Sequence, residues 1–172
     1  MVRALGASAL AALIALTTAC GTTSLPAGVY TNQQYHFKVS YPTGWQTNVS
    51  SQPDATAPLI LIITRSGEHP TAGAAVISSL TIDVLALSDV GGSAVAANLA
   101  KDKTLIPATI SGLPGYQDHP TRQQGTGNTS TDVVTHTDFY LVHGAYEYQI
   151  SIDALAGDDA ALASMESSFT II

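Results

Sequence analysis

The chain has 172 residues, 45% of them hydrophobic and only 11% charged, which suits one well-filled domain and not a disordered segment. Thirteen acidic against six basic residues leave a formal charge of −7, arguing against nucleic acid and against electrostatic attraction to anionic lipid. The single cysteine excludes an intrachain disulfide, so the domain must hold together through its core.

A short basic region, the Met1 amine and Arg3, opens the chain and is followed by an apolar run from Ala4 to Leu16. A spanning helix needs roughly 20 apolar residues, whereas Ala4 to Ala19 is shorter, rich in Ala and Thr, and interrupted by Gly6 and Ser8. A buried core helix does not ordinarily open a chain and stop at Cys-Gly. The pattern is that of a secretory signal. Leu16-Thr17-Thr18-Ala19-Cys20-Gly21 resembles a bacterial lipobox, with Thr17 standing where Leu is usual. That resemblance implies a signal peptide over 1–19 that is cleaved, a lipid such as palmitate on the Cys20 thiol, and a lipidated tether over 20–27. It also implies a membrane as partner through the lipid on Cys20, and an address on the extracytoplasmic face of a bacterial envelope membrane. Each buried CH₂ contributes about 0.8 kcal/mol, so more than one acyl chain makes such anchoring stable.

The domain is expected over 28–172. Tyr35, Phe37, Val39 and Tyr41 alternate with His36, Lys38 and Ser40, the pattern of a half-buried strand. Pro42-Thr43-Gly44 stops it, and Trp45 starts a second extended piece. The continuous apolar run Leu59 to Thr64 predicts a strand covered on both sides. Val76 to Leu87 predicts another, with Ser79, Thr81 and Asp83 on one face and Leu80, Ile82 and Val84 on the other. An Ala-rich helix is expected over Gly91 to Lys103, its start weakened by Gly91-Gly92. Thr104 to Ser111 is expected to be extended, Gly112 to Tyr116 to turn, and Gly125 to Ser130 to form a hairpin loop.

The strongest hairpin signal is Val133 to Val142 and Ala145 to Asp153 around His143-Gly144. Pairing outward from that turn sets Leu141 opposite Tyr146 and Phe139 opposite Tyr148 on the core side. His136, Asp138, Tyr140, Glu147, Gln149 and Ser151 take the other face. A last helix is expected from Gly157 to about Ser167, with Leu162, Met165 and Phe169 as its apolar stripe. Strands, a helix, more strands and a final helix make an α+β fold, a mainly antiparallel β-sheet flanked by helices.

Tyr30-Thr31-Asn32, the aromatic strand ending in Pro42-Thr43-Gly44-Trp45, the turn at Gly112 to Tyr116 and the closing Ser168-Phe169 resemble the PsbP-like superfamily and the lipoproteins of the LpqN type. The resemblance covers most of the domain. It implies an α/β/α sandwich and a role as a binding or assembly module; the photosynthetic function of PsbP proteins is not carried over, because fold analogy is a weak warrant for function.

No nucleophile elbow, zincin helix, phosphate loop or dinucleotide fingerprint occurs, so no catalytic or cofactor-binding residue is proposed. The candidate metal set is His136, Asp138 and Glu147 on the polar hairpin face, with imidazole and carboxylate groups suited to Zn²⁺. The competing reading of that face is an ordinary solvated surface. Glu68-His69-Pro70 and Asp118-His119-Pro120 are weaker loop pairs. The aromatics Tyr35, Phe37, Tyr41, Trp45, Phe139, Tyr146 and Tyr148 are expected in the core more than around a ligand cleft. The leading expectation is a non-enzymatic, membrane-tethered module for an envelope protein partner, and the alternative is a carrier of a small ligand or divalent metal.

Overall fold

The structure is a computed structural model that describes residues 27–51, 58–68, 77–124 and 133–172. Among these residues eleven strands and three helices follow one another in the order β1 (Gly28–Asn32), β2 (Phe37–Tyr41), β3 (Trp45–Ser51), β4 (Leu59–Arg65), β5 (Ser79–Ala86), α1 (Leu87–Val90), α2 (Ala94–Leu99), β6 (Ile106–Ile110), β7 (Leu113–Gln117), β8 (Thr121–Gln124), β9 (Val133–His143), β10 (Tyr146–Ala154), α3 (Asp159–Ser168) and β11 (Thr170–Ile171). The large sheet runs β3-β4-β5-β10-β9-β7-β6, with β8 also on β9, and a small sheet runs β1-β2-β11. Each described strand pair is antiparallel.

The inner face of the large sheet carries the core. Leu61, Ile63, Leu80, Ile82, Val84, Leu141 and Ile150 are fully buried there, against Phe37 and Val39 of β2 and Leu162, Met165 and Phe169 at α3. The apolar stripe expected for the last helix therefore does meet the sheet. Aromatic rings fill the junction: Phe37 and Phe169 lie 5.7 Å apart, and Tyr148 meets Phe169 edge-on at 5.9 Å. The Tyr148 hydroxyl donates to the Tyr35 carbonyl at 2.8 Å, which satisfies the one polar atom the ring brings inside.

Trp45 is 2% exposed and follows the turn at Pro42–Gly44, where its amide bonds the Pro42 carbonyl at 3.3 Å. The Arg65 guanidinium sits 5.4 Å from the Trp45 ring centroid. It grips Asp158 in a bidentate ion pair whose Nε arm is 3.0 Å long. Asp158 stands at the N-terminus of α3 but makes no side-chain cap; its carboxylate goes to the sheet, and this is what seats the helix. The hydrogen bond from Arg65 holds the Asp158 carboxyl below the ordinary carboxylate range.

Several expected elements differ in detail. The helix expected over Gly91 to Lys103 is confined to α2, and a separate short helix, α1, precedes it; Gly91 and Gly92, with φ of 124° and 63°, break the chain between the two. The turn near Gly112 is Ser111-Gly112, both with positive φ as a two-residue type I′ hairpin requires, so Leu113 to Gln117 is strand. The β4 strand is covered fully only on its inner side; Ile60 and Ile62 are half-buried. The loop expected at Gly125 to Ser130 lies outside the described residues, as do Cys20, the signal peptide expected over 1–19 and most of the tether expected over 20–27. No helix among the described residues is long and apolar enough to cross a membrane.

Candidate functional site

The hairpin β9–β10 turns at Gly144-Ala145, with His143 opposite Tyr146, and not at His143-Gly144. Gly144 has φ of 60°, the first central position of a type II′ turn, which favours glycine there. The expected register is therefore wrong by two residues. A shift of two preserves which side chains share a face and changes which ones are neighbours. The polar face survives, and its composition at each point is different.

In the true register Asp138 faces Ser151 and His136 faces Asp153, while Glu147 faces Val142. Asp138 and Val142 are four residues apart on β9, about 13 Å at strand rise. The structure thus brings His136 and Asp138 together and takes Glu147 away from them. The Glu147 carboxylate instead accepts from Gln149 at 3.1 Å. Among the described residues no group of three or more His, Cys, Asp or Glu is placed to hold a metal ion.

The network that replaces the expected set spans three elements. The His136 ring is bonded on both nitrogens, Nδ1 to Asp153 at 2.8 Å and Nε2 to Asp138 at 3.1 Å. Ser151 donates to the other Asp138 oxygen at 2.5 Å. The Asp138 amide donates to Asp118 at 2.9 Å, and the Asp118 amide returns a bond to the Asp138 carbonyl at 3.0 Å. Burial alone would lower the His136 pKa, but hydrogen bonds from its ring to Asp153 and Asp138, and the charges of those carboxylates, raise it above the ordinary histidine value. One row along the sheet, Asp83 faces Gln149; burial, aided by the Asp138 charge, pushes its carboxyl up.

Gln149 in turn faces Tyr140, and Tyr140 faces Tyr116 of β7. These two tyrosines lie beside a cleft of ≈ 270 Å³ between α2 and the outer face of the sheet, lined also by Ala96, Leu99, Pro114, Gly115, Val142 and His143. Gly115 is needed for the close approach: a Cβ there would lie 2.8 Å from the Tyr140 carbonyl and 2.6 Å from Ile110. The Tyr140 phenol is pushed up to about 12, first by burial and then by the charges of Asp138, Asp118 and Glu147.

Sequence reasoning did not connect Asp83, Asp118 and Asp153 with this face, nor Tyr116 and Tyr140 with a cleft. The signal for Asp83 was its strand alternation, but the partner of β5 was not legible. His119 of the weaker loop pair is exposed, whereas its neighbour Asp118 joins the network; His69 lies outside the described residues. Tyr35, Phe37, Trp45 and Tyr148 are core, with Tyr41, Phe139 and Tyr146 packed against it.

No protein-family model and no curated protein matches the sequence. Solved structures do match the fold. A protein of Bacteroides thetaiotaomicron VPI-5482 superposes with a TM-score of 0.56 at 10% identity, over 84% of this chain and 48% of its own, so the present chain spans about half of its length. Cyanobacterial PsbP (CyanoP) from Synechocystis sp. PCC 6803 superposes with a TM-score of 0.51 at 10% identity, over 91% of this chain and 99% of its own. Identity this low speaks to architecture alone. The chain has a PsbP-like α+β fold, a mainly antiparallel sheet flanked by helices.

Proposed function

We propose that this protein is a lipid-anchored module of the bacterial cell envelope, of the LpqN-like kind, that docks a protein partner and does not catalyse a reaction. The address rests on the lipobox around Cys20; the tether from Gly21 to Ala27 reaches at most about 25 Å and leads into β1 at Gly28. The observation that carries the docking role is the hydrogen-bonded polar network on the outer face. Asp118, His136, Asp138, Ser151 and Asp153 come from β9, β10 and the β7–β8 connection and are tied to one another. Groups already ordered lose little freedom when a partner arrives, and a carboxylate-rich face complements a basic one.

A small-ligand carrier is the second reading, favoured by the cleft under α2. The divalent-metal form of that reading has less support, because both His136 nitrogens are already engaged and Glu147 is elsewhere.

A photo-crosslinking residue at Thr81 or Gln149, on the outer face, is expected to trap a membrane-fraction protein in cells; one at Lys38, on the small sheet, is not. Cys20→Ser is expected to abolish fatty-acid labelling and to release the protein or leave it unprocessed. Retained labelling would remove the anchor from the reading, and crosslinks from Lys38 alone would move the docking face.

A further inference from the structure

The geometry points to the cleft between α2 and the outer sheet face as the seat of one arginine or lysine side chain from a basic segment of the protein partner. This rests on the docking role just proposed and specifies its chemistry. The walls are apolar, formed by Ala96 and Leu99 of α2, Pro114 of β7 and Val142 of β9, which suits the methylene stem of a long basic side chain. Tyr116 and Tyr140, paired across β7 and β9, offer aromatic surface to a cationic head.

Charge supplies the reason for a cation over a neutral group. Asp138 stands two residues before Tyr140 on β9, and Asp118 accepts a hydrogen bond from its amide. Glu147 faces Val142, itself part of the lining. All three carboxylates act on the Tyr140 phenol in the direction that opposes a further negative charge there. The same field favours a positive one. The volume of ≈ 270 Å³ lies at the small end for a ligand pocket and matches one side chain more closely than a drug-sized molecule.

The test uses the full chain in detergent and an eight-residue Gly/Ser peptide with one central arginine. Binding is read from NMR shifts at Leu99, Tyr116 and Tyr140. The expected result is that replacing arginine by citrulline, nearly the same shape without the charge, weakens binding at least tenfold. Ala96→Trp, at an exposed helix position, should fill the cleft and abolish the shifts while leaving the fold intact. Tyr140→Phe keeps the ring and should retain binding. Equal binding of the citrulline peptide, or binding unaffected by Ala96→Trp, would overturn the inference. If the outer-face crosslinks persist in Ala96→Trp, the cleft inference fails and the docking role stands.

Discussion

On the inner face of the β9–β10 hairpin Leu141, Tyr148 and Ile150 are at most 1% exposed and packed among other apolar side chains. One residue along each strand, on the outer face, His136, Asp138 and Ser151 stay half-buried and are held by hydrogen bonds. The backbone is the same; the energetics are not. Burial on the inner face contributes about 1.5–3 kcal/mol for each large side chain, whereas a network hydrogen bond contributes about 0.5–1.5 kcal/mol after exchange with water. The inner face thus supplies stability, and the outer face supplies a fixed arrangement of charge.

Large truncations on the inner side test the first half of this contrast. Trp45→Ala should lose about 3–5 kcal/mol in urea unfolding, as a deleted core aromatic does. Trp45 is the chain's single tryptophan, so the folded protein should show blue-shifted emission; emission typical of free solvent would contradict its burial. The pair joining α3 to the sheet comes next. Arg65→Ala should cost about 1–2 kcal/mol, less than the loss of a fully buried pair, because the Arg65 side chain is 49% exposed beside the 8% exposed Asp158. The depressed Asp158 carboxyl contributes stability above its ordinary pKa, and that contribution fades as pH falls through the lowered value. In Arg65→Ala the depression, and with it this contribution, should be gone, so in a pH series the gap in melting temperature between the two proteins should narrow as pH falls through that range.

Outer-face substitutions should be gentler. Asp138→Ala should cost about 1 kcal/mol in chemical denaturation, since it strips partners from both Ser151 and His136; a cost equal to Trp45→Ala would break the contrast. His136 titrated by NMR should ionise above the ordinary value of about 6.5. Because its folded pKa is raised, its stabilisation is complete below that value and is lost as pH rises through the folded pKa. Asp153→Asn should bring the titration down.

The smallest effect expected is that of zinc: no shift in melting temperature, with both ring nitrogens of His136 occupied by carboxylates. One tight calorimetric site, lost in His136→Ala, would restore the metal carrier.

Alternation was enough to assign Phe37, Val39, Leu80, Ile82, Leu141, Tyr148 and Ile150 to the core, and period 3.6 to place Leu162, Met165 and Phe169 on one stripe, because these depend only on neighbours along the chain. The same local pattern separated His136, Asp138 and Ser151 from the core, and this division survived the two-residue error in register. Who meets whom was decided elsewhere. The positive φ that Gly144 adopts selected the turn, and the turn moved Glu147 away and put Asp153 beside His136. Pairing of β5 with β10 brought Asp83 onto the face from some 60 residues upstream, and packing of α2 over Tyr116 and Tyr140 made the cleft. Such contacts are non-local: periodicity assigns a side chain to a face, and only the folded sheet assigns it a neighbour.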